Sequence, residues 1–161
     1  MLDTREIDTC ADSEVPRFER PPILLMMHGF PRSGKSTWAR AQRFPIVDPD
    51  AIRLVKTGRR WWGPIEHEIW STARTMVRAL FVAGHEIVIL DSTSYTKWQR
   101  DQFKPSLDIP WQRYVKVIHT SPDICCSRAR ETYPDLVPVI EYMMKKWEPV
   151  DFEQEGILKW P

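Results

Sequence analysis

The sequence has few cysteines, and their placement argues against a disulfide framework. Only three occur in 161 residues: Cys10, Cys125 and Cys126. The adjacent pair would form a bridge only with strain, and Cys10 lies in a polar N-terminal stretch. No cysteine or histidine pair has the spacing of a zinc site. We therefore expect buried thiols and a reducing, cytoplasmic environment.

Long hydrophobic runs are also missing. No apolar stretch approaches the roughly 18 residues that a membrane-spanning helix needs, and the N-terminus lacks the apolar centre of a signal peptide. A net charge of +1 is too near neutral to indicate a partner by itself. A chain of 161 residues with 42% hydrophobic residues can bury a core, so we expect a globular protein without a membrane segment.

Two regions of the chain differ in composition. Residues 1–21 are acidic and polar without sustained periodicity, which predicts a flexible leader or a surface strap. Residues 22–161 alternate between short apolar runs and amphipathic segments, which predicts one folded domain. The apolar runs predict strands at 23–27, 45–47, 86–90, 113–119 and 157–160. The amphipathic segments predict helices at 36–43, 64–83, 97–103, 122–130 and 138–147.

A phosphate-binding motif follows the first predicted strand. The segment 29–36 reads GFPRSGKS and fits G-x-x-x-x-G-K-[ST]. Its glycines let backbone N–H groups turn toward phosphates, and the following helix points its positive end at the same anion. Lys35 should reach the β- and γ-phosphates, and the hydroxyl of Ser36 should bind Mg²⁺. The expected nucleotide-binding residues are Gly29, Pro31, Arg32, Ser33, Gly34, Lys35, Ser36 and Thr37.

The motif and the alternation of elements together predict the fold class. We expect an α/β fold of the three-layer P-loop NTPase type, with a mostly parallel five-stranded sheet, helices on both faces and a small helical lid. Ligands in such sheets bind at the carboxyl ends of the strands. ATP and Mg²⁺ are the expected cofactors.

Acidic and basic residues follow two further predicted strands. Asp50 and Arg53 are three residues apart, so they share a face of a helix that begins there. A carboxylate in that position can accept a proton from a hydroxyl, and a guanidinium can hold a phosphate; the alternative is an N-cap with a solvated neighbour. Asp91 ends a buried strand, where it can serve the metal or cap a turn.

A basic and aromatic segment follows Arg53. It contains Arg59, Arg60, Trp61 and Trp62 between two glycines. Arginines that track phosphates beside a stacking tryptophan are typical of single-stranded nucleic-acid binding. Packing of the tryptophans beneath the long predicted helix is the alternative interpretation.

These motifs resemble the kinase domain of phage polynucleotide 5′-kinases over roughly residues 22–160. The resemblance rests on Gly29 to Arg40, on the D-x-x-R of Asp50 and Arg53, and on the strand end at 89–93. It implies that Asp50 is the general base and that Arg53 binds the phosphate next to the target hydroxyl. Arg128 or Arg130 would be the lid arginine on the ATP phosphates, although the family spaces two such arginines about one helical turn apart.

Three functions are compatible with these residues. The first is an ATP-dependent kinase acting on nucleic acid, DNA more than RNA, at a 5′-hydroxyl end or a hydroxymethylated base; phage 5-hydroxymethyluracil DNA kinases carry similar motifs. The second is a kinase for a nucleoside, nucleotide, sugar or antibiotic. The third is a nucleotide-dependent switch without an acceptor, against which Asp50 and Arg53 argue.

Overall fold

The computed structural model describes residues 18–59 and 63–161. Most of the predicted leader therefore lies outside the described residues, as do Arg60, Trp61 and Trp62 of the basic and aromatic segment. Across the part that is described, no helix has the length and apolar character needed to cross a bilayer.

The strands form one five-stranded sheet in which every pairing is parallel. Their order in the sheet is β2-β3-β1-β4-β5. Their bounds are β1 Ile23–His28, β2 Ile46–Val47, β3 Ile87–Leu90, β4 Gln112–Val117 and β5 Leu158–Lys159. The predicted five-stranded parallel sheet is confirmed, and β1 lies at its centre because both of its faces are apolar.

Helices connect the strands on both sides of the sheet. Their bounds are α1 Lys35–Ala41, α2 Pro49–Thr57, α3 Glu66–Val82, α4 Lys97–Asp101, α5 Pro122–Thr132 and α6 Val137–Lys145. One-turn 3-10 helices at Gly63–Ile65 and Pro134–Leu136 precede α3 and α6. The long predicted helix at 64–83 thus begins with a 3-10 turn, since Pro64 supplies no N–H for a preceding turn.

Two apolar layers enclose the sheet and make the fold three-layered. On one face, Ile69, Trp70, Ala73, Val77 and Phe81 are the buried residues of α3, and all but Ile69 pack against β1, β3 and β4 in one cluster. The opposite face is covered by Ala39 and Trp38 of α1, which pack on Leu25 and Met27. A third, smaller cluster holds α5 to α6 and to Phe30. These two helices therefore form the helical lid above the central strand.

Candidate active site

The loop between β1 and α1 has the geometry that its glycines allow. Gly34 has a φ of 102°, a conformation that side chains disfavour. At Gly29 an added Cβ would lie 3.0 Å from Ser33 Oγ and 3.1 Å from the Ile118 carbonyl oxygen. Any other residue at position 29 would push the loop away from the end of β4.

Polar groups inside this loop are poised for an anion. The buried hydroxyl of Ser33 has no hydrogen-bond partner within the described residues. The ammonium of Lys35 donates to the Phe30 carbonyl at 2.8 Å. Burial lowers the pKa of Lys35, and Asp91 and Asp50 oppose that change. Phosphate oxygens would satisfy both groups better than neutral protein atoms, because hydrogen bonds between charged groups are the stronger ones.

A cavity of about 570 Å³, here called the phosphate cavity, opens beside this loop. It brings together nine of the predicted site residues: Pro31, Arg32, Gly34, Lys35, Ser36, Thr37, Asp50, Asp91 and Arg128. Six further residues line it that sequence reasoning did not assign: Arg40, Asp48, Ser92, Thr93, Tyr133 and Leu136. Phosphate-binding and acidic side chains from three strand ends therefore face one space.

The two predicted lid arginines are placed differently. Arg128 of α5 lines the phosphate cavity and donates to the Arg32 carbonyl at 3.1 Å. Arg130 is exposed and is not among the residues that line the cavity. The guanidinium of Arg32 lies 5.4 Å from the ring centre of Tyr133, which joins the loop to the end of α5. Of the two predicted lid arginines, Arg128 is therefore the one that lines the phosphate cavity.

The predicted D-x-x-R pair lies on α2, and its arginine has an additional partner. Arg53 Nη1 donates to Asp50 Oδ1 at 2.5 Å. Its Nε and Nη2 donate to the two carboxylate oxygens of Glu66 at 2.7 and 3.0 Å. Glu66 Oε2 also accepts from the indole N–H of Trp70 at 3.1 Å. Arg53 is thus held from both sides, with 4% of its surface exposed.

Asp50 and Arg53 consequently differ in access. The Asp50 side chain is 76% exposed and opens into the phosphate cavity, whereas Arg53 does not line that cavity. Asp50 is therefore accessible to a hydroxyl group in the cavity. The buried guanidinium of Arg53 provides a fixed positive charge beside it. Sequence reasoning missed Glu66, because it lies 13 residues beyond Arg53 on the next helix and no local spacing reveals it.

Asp48 was also missed as a site residue. Its carboxylate caps α2, accepting from the backbone N–H groups of Asp50 at 2.8 Å and Ala51 at 3.1 Å. Burial raises the pKa of Asp48, and the charges of Asp50 and Asp91 add to that effect. The signal in the sequence was Asp before Pro49, the usual order of a cap and a first helical residue.

Three further predicted residues, Gly29, Ser33 and Arg59, do not line the cavity. Gly29 and Ser33 belong to the loop backbone behind it, and Arg59 lies just beyond the C-terminal end of α2. Within residues 18–59 and 63–161, no three histidine, cysteine or acidic side chains form a metal-binding cluster. The hydroxyl of Ser36 and the carboxylate of Asp91 both face the cavity, a donor set that suits Mg²⁺ held jointly with phosphates.

Solved structures share this architecture. A chain in the structure of the Pnkp1/Rnl/Hen1 complex aligns with a TM-score of 0.58 at 24% identity, over 70% of this chain and 40% of that one. A chain in the Pnkp1/Rnl/Hen1 RNA repair complex aligns with a TM-score of 0.58 at 22% identity, over 81% of this chain and 48% of that one. This chain therefore spans less than half the length of those two.

A gluconokinase from Sinorhizobium meliloti 1021 has the same fold over most of its length. It aligns with a TM-score of 0.54 at 16% identity, over 86% of this chain and 81% of that one. The fold is thus P-loop kinase-like, and it occurs both in this gluconokinase and in the RNA repair complex.

Sequence comparison places the chain in a family. No curated protein matches it significantly. The profile of an AAA domain family matches residues 24–135, which include the P-loop, α2, β3 and α5. Because this match covers more than half of the chain, the protein belongs to that AAA domain family and carries its P-loop kinase-like fold.

Proposed function

We propose that this protein transfers the γ-phosphoryl group of ATP to a hydroxyl group on nucleic acid. The observation that carries the proposal is that Lys35 and the accessible carboxylate of Asp50 face the same phosphate cavity. A loop that only binds phosphates would be enough for a nucleotide-dependent switch, which needs no acceptor. The carboxylate of Asp50, which is held beside the buried Arg53, can in addition accept the proton of an acceptor hydroxyl.

On the donor side, the loop N–H groups and Lys35 would hold the β- and γ-phosphates. Arg128 would approach them from α5, where it lines the same cavity. Ser36 and Asp91 would hold Mg²⁺, which when bound neutralises charge on the phosphates. These assignments place positive charge where negative charge develops during transfer.

On the acceptor side, Asp50 would accept the proton of the attacking hydroxyl. The hydroxyl oxygen forms a bond to the γ-phosphorus, the bond from that phosphorus to the β–γ bridging oxygen breaks, and ADP leaves. Arg53 would orient Asp50 through its contact of 2.5 Å. Glu66 in turn fixes the buried guanidinium of Arg53.

Two observations support nucleic acid as the acceptor. Lys56 of α2 and Arg59 lie at the far end of the helix that carries Asp50, and the basic and aromatic segment continues directly from them. The fold is also that of a chain in an RNA repair complex. The motif resemblance to phage polynucleotide kinases favours DNA, with a 5′-hydroxyl end or a hydroxymethylated base as the target.

The test is transfer from labelled ATP to a panel of acceptors. The panel holds 5′-hydroxyl DNA, 5′-hydroxyl RNA, duplex DNA with hydroxymethylated bases, nucleosides and gluconate. We expect product on at least one nucleic acid and none on the small molecules. Arg59→Ala combined with Arg60→Ala should then lower the salt dependence of nucleic-acid binding by at most about two units of log–log slope.

A kinase for a small molecule is the second candidate. The shared fold with a gluconokinase over most of both chains favours it, and so does a cavity of about 570 Å³, which suits a compact ligand. Product confined to nucleosides or sugars in the same panel would establish this candidate and overturn the first. No product from any acceptor, with ATP bound, would favour a nucleotide-dependent switch.

A further inference from the structure

A fully buried arginine lies behind the phosphate cavity, outside the residues assigned above. Arg100 belongs to α4 and has no exposed surface. Its Nε and Nη2 donate to the carboxylate of Glu155, both at 2.7 Å. The remaining donors reach the carbonyls of Ser94 at 2.9 Å, Glu148 at 3.1 Å and Pro149 at 3.3 Å. These five contacts match the five N–H donors of a guanidinium.

One of these contacts holds the loop that carries Asp91. Ser94 lies three residues beyond Asp91 and has a φ of 45°, a left-handed conformation that is uncommon for serine. Its carbonyl accepts from Arg100 and also from His28 Nδ1 at 3.1 Å. Its hydroxyl lies 2.7 Å from that of Ser92, which lines the phosphate cavity. The strained turn is therefore held by two buried donors.

The contacts with Glu148 and Pro149 hold the segment that packs behind the phosphate-binding loop, and that loop forms the other wall of the cavity. Trp147, the residue before them, stacks on Phe30 with ring centres 4.2 Å apart, and its ring lies 4.5 Å from that of His28. Phe30 belongs to the phosphate-binding loop, and its carbonyl accepts from Lys35. The guanidinium thus holds a segment that packs behind the loop of Lys35.

Glu155 makes this arrangement possible. Burial is the largest single influence and would raise the pKa of Glu155, but the hydrogen bonds from Arg100 and from the Asp151 N–H, together with the charges of Arg100 and Lys97, lower that pKa overall. The carboxylate therefore balances a guanidinium that would otherwise be an unpaired buried charge. A hydrocarbon side chain would fill the same space, yet it could not tie three carbonyls from two separate segments to one point.

We propose that Arg100 is a positioning residue that sets Asp91 and the Lys35 loop at their working separation. This inference rests on the proposed phosphoryl transfer, because only that reaction requires the two walls of the cavity to be aligned around one phosphate. Arg100 reaches neither the phosphates nor the acceptor. Displacement of a catalytic group by a fraction of an ångström weakens the transition state more than the binding of substrate.

The chain offers a matched control in Arg113. This residue of β4 is also buried, and it donates to the carbonyls of Arg100 at 3.2 Å and of Glu155. Among its described contacts, none involves the 91–94 loop or the 147–149 segment. Replacement of Arg113 by lysine should therefore disturb the same buried cluster without releasing either wall.

The experiment compares Arg100→Lys with Arg113→Lys in the full chain. Steady-state kinetics on the best acceptor are measured well below both melting temperatures. We expect kcat to fall at least tenfold in Arg100→Lys while the KM for ATP stays within threefold. Arg113→Lys should keep kcat within threefold even though its melting temperature falls by a similar amount. Hydrogen–deuterium exchange without ligand should increase at residues 28–35 and 91–97 in the first variant only.

The possible outcomes distinguish the positioning role of Arg100 from the proposed phosphoryl transfer. Equal losses of kcat in both variants, in proportion to the loss of melting temperature, would overturn the positioning role and leave the proposed function standing. If the wild-type protein transfers no phosphoryl group, the proposed function fails, and unchanged exchange at 28–35 and 91–97 would overturn the positioning role independently. If Arg100→Lys does not fold, Glu155→Gln is tested in its place. We expect kcat of that variant to fall about threefold while the KM for ATP is unchanged. An unchanged kcat would contradict the proposal.

Discussion

The proposed donor side and the proposed acceptor side of the phosphate cavity are built in different ways. The donor side is one continuous segment, Gly29 to Thr37, whose shape follows from backbone conformation and the start of α1. The acceptor side is assembled from separate elements, since Asp50 and Arg53 of α2 depend on Glu66 of α3. A local motif therefore defines the first side, whereas the second depends on an ion pair between two helices.

This difference explains what is shared among proteins with the same fold. A phosphate cradle that depends only on local conformation can persist while the rest of the chain changes. An acceptor site that depends on paired side chains from two helices can change through either helix. We therefore expect the phosphate-binding loop to vary less than the acceptor residues among proteins with this fold.

The largest expected effect tests the donor side. Lys35→Ala should lower phosphoryl transfer by about 10³-fold or more, because the ammonium stabilises charge on the transferring group. The melting temperature should stay close to that of wild type. Lys159→Ala, an exposed lysine on β5, is the control. Activity of Lys35→Ala within tenfold of wild type would contradict the assignment of the loop.

The next prediction tests Asp50, whose carboxylate faces the phosphate cavity. Asp50→Asn should lower kcat by about 10²-fold or more, the scale expected for loss of a general base. The Kd for ATP, measured by calorimetry, should remain unchanged because Asp50 belongs to the acceptor side. Asp48→Asn preserves the cap of α2, since asparagine accepts the same hydrogen bonds. A larger loss of kcat in Asp48→Asn than in Asp50→Asn would assign the base to Asp48 instead.

A third prediction tests the assembly of the acceptor side. Glu66→Gln removes the charge that holds Arg53 beside Asp50, and we expect kcat to fall about tenfold, equivalent to about 1.4 kcal/mol. The KM for ATP should not change. Glu68→Gln, two residues further along α3 and paired with the exposed Lys56, is the matched control. Identical kinetics for the two variants would show that Glu66 has no role in the acceptor site.

The smallest expected effect concerns a histidine behind the donor side. Burial lowers the pKa of His28 from 6.5 to about 4, although its hydrogen bond with the Ser94 carbonyl partly opposes this. Between these values the unfolded chain binds a proton that the folded chain does not, so stability falls as pH decreases from about 6.5 to 4. At pH 4.5 this difference in protonation lowers the free energy of unfolding by an amount on the order of 2 kcal/mol.

Urea unfolding at pH 7.0, 5.5 and 4.5 measures this contribution. The free energy of unfolding of His28→Asn should depend less steeply on pH than that of wild type over this range. His119→Asn, which replaces an exposed histidine at the end of β4, should follow the wild-type profile. Parallel profiles for wild type and His28→Asn would mean that folding does not lower the pKa of His28.

Much of the fold could be predicted because its signals are local. The central strands β1 and β3 are continuous apolar runs that are almost entirely buried, and the P-loop motif lies directly between β1 and α1. The order of the strands was not predictable from such signals. Placing β1 between β3 and β4 depends on which apolar faces α1 and α3 cover, and that is decided by packing across the whole sheet.

For the site itself, the sequence determined which chemistry is available, and the tertiary structure decided how it is arranged. Lys35, Asp50, Asp91 and the D-x-x-R spacing are visible in the chain because each depends on neighbours within a few residues. Glu66 as the partner of Arg53, Arg128 rather than Arg130 in the cavity, and Arg100 beneath both walls depend on contacts between residues 13 to 96 positions apart. Side chains so distant in sequence meet only after the sheet has formed, because burial of its apolar faces brings those segments together.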